Sequence, residues 1–252
     1  FCGNNDVYVI SGDPQVYHNF KTAINASRPR IISAIMDSKE HVKAYLTTRP
    51  PADTEFALFM GEEEIARQEA NGKTIEFNIK KDYKFDPSKL FLVKATKMFT
   101  ARQVRLRDVL DQYHYDGDDM GVTYTDTKIK FRLWTPVASS VDVMIYEKES
   151  TEDDKGTPYP MKKDPAGNGT WTASVDRKEN YGRFFKYRIR FNEKTNFAKT
   201  TFAVDPYAKA VGVNGNKGAL IDPVNDPATK FDGWKPDEKP KFKHPTDAII
   251  YE

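Results

Sequence analysis

The chain has 252 residues, of which 38% are hydrophobic and 30% are charged, so it can build one to three small cores and does not have a disordered composition. Its 39 basic and 37 acidic residues nearly cancel, which argues against a nucleic-acid partner attracted by bulk charge. No apolar run approaches the roughly 20 residues that span a bilayer, so we expect no membrane partner.

The amino terminus indicates a piece of a longer protein. The chain begins with Phe1, and no signal-peptide pattern is present, so we expect a fragment or a mature product. Cys2 is the single cysteine, which excludes a disulfide within the chain and a cysteine-rich metal site. Residues 1–28 combine a strand-like run at 6–10, a turn and a brief helical pattern that ends before Pro29. They predict the end of an earlier module and a connector.

Residues 29–108 predict an immunoglobulin-like β-sandwich. Short runs of β-forming residues recur at intervals of about 10 to 20 residues, with turn clusters between them. These runs cover residues 31–35, 41–46, 56–59, 74–79 and 92–95. Residues 62–69 are also compatible with a short helix, although they hold few apolar anchors, and this alternative stays open.

Residues 109–220 predict a second β-sandwich, after a connection at 102–113. Three of its runs alternate between apolar and polar residues, and a period of two places the apolar members on one face of a strand. These members are Ile129, Phe131 and Leu133, then Val141, Val143 and Ile145, then Phe185, Tyr187, Ile189 and Phe191. On the third run, Lys186, Arg188 and Arg190 form the opposite face, which we expect to be solvated. Strands with one wet face are typical of antiparallel sandwiches.

Residues 221–252 predict a linker that leads into a strand. The segment is rich in proline, which keeps a chain extended and unpaired. Its prolines are Pro223, Pro227, Pro236, Pro240 and Pro245. The apolar run Ile249-Ile250-Tyr251 then predicts a buried strand whose partners lie outside this chain. Trp234 lies in the linker, and we expect it to anchor the linker to whatever follows.

Several motifs in the second half resemble those of carbohydrate-binding module family 48. They are Tyr115-Asp116-Gly117-Asp118-Asp119, Phe131-Arg132-Leu133-Trp134-Thr135-Pro136, Gly169-Thr170-Trp171, Phe185-Lys186-Tyr187 and Val204-Asp205-Pro206-Tyr207. The run Val213-Asn214-Gly215-Asn216-Lys217-Gly218 narrows the resemblance to type I pullulanases, of glycoside hydrolase family 13. Residues 244–252 are similar to the first barrel strand of these starch-debranching enzymes, and residues 7–14 are similar to the last strand of a starch-binding module.

The resemblance implies a non-catalytic N-terminal region of an enzyme that hydrolyses α-1,6 linkages in pullulan, amylopectin or glycogen. It implies two partners, an α-glucan and a catalytic TIM barrel of the same parent chain, against which the sandwiches pack and which they orient. It also implies an extracellular or cell-surface location. No residue matches the catalytic carboxylates of the family, so no catalytic residue is expected in this chain, and no cofactor is expected either.

The resemblance also implies two carbohydrate-binding residues. In related glycogen-binding modules, two tryptophans and a lysine contact glucose. The lysine matches Lys186, and the later aromatic falls at Phe197, where the relatives have tryptophan. We interpret Trp134 as a core or interdomain packing residue, Trp171 as a cover of the sandwich edge and Tyr207 as a junction residue.

Other polar residues favour no further site. The histidines lack ligand spacing, so no metal is expected. We interpret the run 152–154 as solvated acidic residues, and Asp118-Asp119 as turn residues, because adjacent side chains of an extended chain point to opposite faces. Two alternatives to an accessory region remain: a stand-alone starch- or glycogen-binding module without an enzyme, and a structural cell-surface spacer.

Overall fold

The computed structural model describes residues 29–79, 82–229 and 241–248. Within these ranges the chain is almost entirely β, with four sheets and a single four-residue α-helix, so the prediction of an all-β chain with tandem sandwiches is confirmed. No helix in the same ranges is long and apolar enough to cross a membrane. The expectations for residues 1–28, for Trp234 and for the strand at Ile249-Ile250-Tyr251 lie outside the described residues.

Eight strands form the first half of the described chain. They are β1 (Ile31–Ser38), β2 (His41–Leu46), β3 (Glu55–Met60), β4 (Glu63–Glu69), β5 (Thr74–Asn78), β6 (Phe91–Ala95), β7 (Arg102–Gln103) and β8 (Arg105–Leu106). They make two sheets, of order β5-β2-β1-β8 and β4-β3-β6-β7. The β1–β8 pair is parallel, and the other pairs of these two sheets are antiparallel.

The two sheets share one hydrophobic core. In β2 the apolar residues Val42, Ala44 and Leu46 are buried while the residues between them are exposed, as a period of two requires. From the facing sheet, Phe56 packs against the same core and meets Phe99 edge-on, with ring centroids 5.5 Å apart. The first half is therefore a sandwich with its own interior.

Residues 63–69 form strand β4, so the helical alternative for residues 62–69 is wrong. β4 returns antiparallel to β3 through a turn at Gly61, whose φ of +63° favours glycine. Ile65 is buried in the core, and Arg67 on the exposed face pairs with carboxylates on both strands. A neighbouring strand that satisfies the backbone outweighs a weak local preference for helix.

The connection at residues 102–113 belongs to the first sandwich. Its strands β7 and β8 add one edge to each sheet, and a 3₁₀ turn at Asp108–Gln112 buries Val109 in the same core. The connection ends at Tyr113, whose carbonyl oxygen accepts a hydrogen bond from the indole N–H of Trp134 at 2.9 Å. This bond links the connection to the second sandwich.

Nine strands form the second half. They are β9 (Gly121–Tyr124), β10 (Lys128–Trp134), β11 (Ser140–Tyr146), β12 (Thr157–Pro160), β13 (Lys162–Lys163), β14 (Thr170–Asp176), β15 (Phe184–Phe191), β16 (Lys199–Ala203) and β17 (Gly218–Ala219). The sheets have the order β13-β14-β10-β9 and β12-β11-β15-β16, and β17 pairs with β15. Asp176 caps the N-terminus of helix α1 (Arg177–Asn180), because its side chain accepts a hydrogen bond from the backbone N–H of Glu179.

The second core follows the predicted alternation. The apolar members of β10 and β11 are buried, and so are those of β15 except Phe191, which is half-buried. Phe131 and Phe185 join the two sheets, with ring centroids 5.4 Å apart. Each half has its own core, but the boundaries at 29–108 and 109–220 stay a prediction.

Strand β11 departs from the one-sided pattern. Asp142, Met144 and Tyr146 lie on the face that was expected to be wet, yet they are buried. Residues 147–156, here called the covering loop, close this face, and the Tyr146 hydroxyl donates to the carbonyl oxygen of Asp153 at 2.7 Å. The sheet therefore carries a second, polar layer on its outer side.

Candidate functional site

Lys186 lies in the middle of β15, opposite Met144 of β11, on the outer face of the sheet. Its ammonium group donates to both carboxylate oxygens of Asp153, at 3.0 and 2.9 Å. The Lys186 side chain is only 14% exposed. A sugar hydroxyl that binds Lys186 would therefore have to displace a charged partner.

Asp153 holds the covering loop on the sheet. Its carboxylate accepts hydrogen bonds from the Lys186 ammonium group, and the ammonium group of Lys217 lies 3.5 Å from its Oδ1. Lys217 is buried and also donates to the carbonyl oxygens of Glu149 and Thr151, at 2.9 Å each. The interpretation of residues 152–154 as a solvated run is therefore wrong for Asp153. No sequence pattern signals this cluster, because its members come from three distant segments.

Arg188 and Arg190 converge on one buried carboxylate. Both Nε and Nη2 of Arg188 donate to Oδ2 of Asp142, at 3.0 and 2.9 Å, and Nη2 of Arg190 donates to the same oxygen at 2.6 Å. The Asp142 side chain is 7% exposed. The face predicted to be solvated is thus an ion-pair network in which each of the three basic side chains has a carboxylate partner.

Phe197 lies away from Lys186. It belongs to the loop between β15 and β16, its side chain is 36% exposed, and it lines a groove of about 460 Å³ with Arg102 and Arg105 of the first sandwich. Lys186 precedes the end of β15, at Phe191, by five residues, or about 17 Å of strand. The structure does not bring the two residues together, and their role in sugar binding stays a prediction.

The two described tryptophans have different surroundings. Trp171 is buried, and its indole N–H donates to the carbonyl oxygen of Thr135 at 3.0 Å, which fits a packing role. Trp134 is not a core residue, because the residue is 41% exposed, and an interdomain packing role stays a prediction. The alternation that buries Leu133 also places Trp134 on the outer face of β10, and this is the sequence signal by which it can be found.

An open groove of about 560 Å³ lies beside Trp134. Its lining includes Tyr113, His114, Tyr115, Trp134, Pro206 and Tyr207. Tyr207 is 54% exposed, so two large aromatic side chains present much of their surface here. We call this feature the aromatic groove. Its residues come from the connection, from the end of β10 and from the segment after β16.

A buried carboxylate positions one wall of the aromatic groove. Asp205 accepts the Tyr207 backbone N–H at 2.8 Å and the Tyr187 hydroxyl at 3.0 Å. Burial raises the pKa of Asp205, although these two hydrogen bonds act to lower it. Gly121 lies against this wall with φ of +82°, and a Cβ atom there would come within 2.5 Å of the Tyr207 Cβ.

The opposite wall rests on Arg132. Its guanidinium pairs with Asp119 at 3.0 Å and with Asp164 at 2.5 Å, and it lies over the Tyr115 ring, 4.5 Å from the centroid. Burial acts to raise the pKa of Asp119, but hydrogen bonds from Tyr115 and Arg132 lower it below the ordinary value. Asp119 is thus an ionised structural partner. Within the described ranges, no group of three or more His, Cys, Asp or Glu residues is placed to hold a metal ion.

Comparison with known proteins finds a family match in the second half. The family carbohydrate-binding module 48 (isoamylase N-terminal domain) matches residues 119–208. A pullulanase of Klebsiella pneumoniae is 30% identical over 142 residues, which cover 54% of this chain and 12% of that protein. A pullulanase of Bacillus subtilis (strain 168) is 33% identical over 142 residues, which cover 56% of this chain and 17% of that protein. The chain therefore spans less than a fifth of either relative.

A solved structure shares the fold. The crystal structure of a pullulanase from Anoxybacillus sp. LM18-11, complexed with maltotriose, has a TM-score of 0.57 at 24% identity. The match covers 86% of this chain and 30% of that one, so it includes most of both sandwiches. Residues 119–208 therefore match the carbohydrate-binding module 48 family, and the chain is similar to a part of two bacterial pullulanases.

Proposed function

We propose that the chain is the accessory region of an extracellular or cell-surface pullulanase of glycoside hydrolase family 13. It binds α-glucan and orients a catalytic barrel that hydrolyses α-1,6 linkages in pullulan, amylopectin or glycogen. The match of residues 119–208 to a carbohydrate-binding module supports sugar binding, and the two pullulanase relatives support the attached activity. A retaining glycosidase needs two carboxylates that flank the scissile bond, and the sequence offers no match to that pair.

The observation that carries the orienting role is the fixed path of the chain after the second sandwich. Leu220 is fully buried, its N–H donates to the carbonyl oxygen of Arg183 at 2.8 Å, and its own carbonyl oxygen accepts the Gly182 N–H at 2.9 Å. The next carbonyl oxygen, of Ile221, accepts the Tyr124 hydroxyl at 2.9 Å. The chain therefore does not leave the sandwich as a free linker at this point.

Tyr181 and Asp222 extend this attachment. The Tyr181 hydroxyl accepts the Asp222 N–H at 3.0 Å and donates to the Asp226 carboxylate. Asp222 is buried, and its Oδ1 accepts the backbone N–H groups of Val224 and Asn225, at 3.3 Å each. These contacts attach residues 220–226 to the second sandwich, and this attachment supports the orienting role.

The test uses the intact protein, including the barrel. Tyr181→Phe removes the hydroxyl that both accepts from Asp222 and donates to Asp226. We expect pullulan hydrolysis to fall severalfold while the isolated sandwiches stay folded. Tyr83→Phe is the matched control, because it removes a hydroxyl that donates at 2.8 Å to the carbonyl oxygen of Lys39 in the first sandwich. Equal hydrolysis by both variants would contradict the orienting role, and pullulan hydrolysis by the 252-residue chain alone would contradict the accessory role.

A further inference from the structure

We propose that the aromatic groove is the α-glucan-binding site of this chain. The class of ligand rests on the proposed function, whereas the location comes from the geometry of the groove. The site is distinct from the face that carries Lys186 and from the loop that carries Phe197.

The groove has the surface that a glucan chain needs. A glucose ring has a C–H face that packs on an aromatic ring, and a rim of hydroxyls that needs hydrogen-bonding partners. Trp134 and Tyr207 are 41% and 54% exposed, and both line the same groove. Its volume of about 560 Å³ lies within the range of about 300–1,000 Å³ that small-molecule sites occupy.

The aromatic side chains are held before any ligand arrives. The indole N–H of Trp134 is bound to the Tyr113 carbonyl oxygen, and Gly169 lies so close to the indole that a Cβ there would be 3.2 Å from Nε1. Tyr115 is fixed by Arg132 above its ring and by the hydrogen bond from its hydroxyl to Asp119. Binding of a ligand therefore costs little conformational entropy in these side chains.

Polar groups lie beside the rings. Asp111 and His114 line the groove and are exposed, and the His114 imidazole lies 2.5 Å from the Asp116 carboxylate. The Tyr207 hydroxyl has no hydrogen-bond partner among the described residues, so it is available to a sugar hydroxyl. Carboxylate, imidazole and phenol groups next to an exposed ring suit the rim of a glucose unit.

The face that carries Lys186 is less suited to binding a glucan. Lys186 is bound by Asp153, Arg188 and Arg190 are bound by Asp142, and the covering loop closes the sheet. A glucan on that face has to break ion pairs between largely buried side chains, whereas the His114–Asp116 pair at the aromatic groove is exposed. This difference favours the groove.

The experiment measures maltoheptaose binding to the whole chain by titration calorimetry, and follows the tryptophan indole N–H signals by NMR. Trp134→Ala and Tyr207→Ala are each expected to weaken binding at least about tenfold, as loss of a central aromatic contact does. Tyr45→Ala is the matched control, because Tyr45 is an aromatic residue of similar exposure, at 39%, on β2 of the first sandwich. Phe197→Ala and Lys186→Met test the two alternative positions. Maltoheptaose should shift the Trp134 indole signal and leave that of buried Trp171 in place.

The outcomes separate the groove from the wider function. If Phe197→Ala or Lys186→Met weakens binding while Trp134→Ala and Tyr207→Ala do not, the groove is wrong and the accessory function stands. Absence of maltoheptaose binding to the unmodified chain also overturns the groove, and the pullulan experiment on the intact protein then decides the accessory function separately. If Trp134→Ala lowers the melting temperature strongly, Tyr207→Ala, whose side chain is more exposed, decides the question.

Discussion

Among single residues, several basic side chains that point away from the second core are paired with carboxylates. Asp142 receives two arginines, Asp153 receives two lysines, and Arg132 bridges two carboxylates. These pairs differ from the exposed pair of Lys43 and Glu76, because their side chains are partly or fully withdrawn from water. Removing one partner of such a pair leaves a charge without compensation.

Asp142→Ala tests how much these buried ion pairs contribute to stability. The change leaves Arg188 and Arg190 side by side without their carboxylate, and we expect a loss of about 2–4 kcal/mol in the free energy of unfolding. Glu76→Ala is the control, because it breaks an exposed pair whose worth is about 0.2–1 kcal/mol. Urea denaturation of both variants gives the two values. Equal losses would show that the outer face is as solvated as the sequence alone suggested.

Asp205 gives a pH dependence of definite sign. Burial raises its pKa, so as the pH rises above the unfolded value of about 3.9 the unfolded chain releases a proton that the folded protein keeps. The contribution of Asp205 to stability is therefore present at low pH and declines until the pH passes the raised folded pKa. Asp205→Asn cannot ionise, so its free energy of unfolding minus that of the unmodified protein should rise with pH. Denaturation series from about pH 4 to 7 measure this difference, and a flat or falling difference would contradict the assignment.

At the scale of elements, the sequence predicts strands better than it predicts what covers them. The period of two in β10 and β15 predicts which side chains face the core, because alternation is a local property of an extended chain. The burial of Met144 and Tyr146 in β11 is not predictable in this way. It depends on the covering loop and on Lys217. This lysine donates a hydrogen bond to the carbonyl oxygen of Thr151 in the loop, although it lies 66 residues later in the chain.

The strand β4 shows the same limit. Its sequence holds one strongly buried apolar residue, Ile65, and several charged residues with good helix propensity, so local preference does not decide between helix and strand. Its pairing with β3 does decide, and that pairing is a tertiary feature.

Gly121→Ala tests how tightly the segment after β16 is packed on β9. The variant places a Cβ atom within 2.5 Å of the Tyr207 Cβ and strains a φ of +82°, so we expect a loss of about 2–4 kcal/mol in the free energy of unfolding. Gly72→Ala is the matched control, because Gly72 has φ of +65° and no atom within 4 Å of the added group. Its expected loss is about 1–2 kcal/mol, from backbone strain alone. If both variants lose the same free energy of unfolding, the contact between the added Cβ atom and Tyr207 does not contribute to the loss.

In the chain as a whole, two sandwiches follow one another, and residues 119–208, within the second, match the carbohydrate-binding module 48 family. Sequence motifs were sufficient to predict the class of the module, because several of them recur in a fixed order. They were not sufficient to place a sugar site. Lys186 has the predicted outward position, but its partner Asp153 lies 33 residues away in a loop without a pattern, and Phe197 lies beyond the end of the strand. The aromatic groove is assembled from three separate segments, so no single stretch of sequence reveals it.

We propose that this chain binds α-glucan without cleaving it. Native electrophoresis of the unmodified chain through gels with and without amylopectin tests both parts of this proposal. We expect amylopectin to retard the chain, and we expect no reducing ends to appear in the gel. Unchanged mobility in amylopectin, or release of reducing ends by the chain alone, would overturn the proposal.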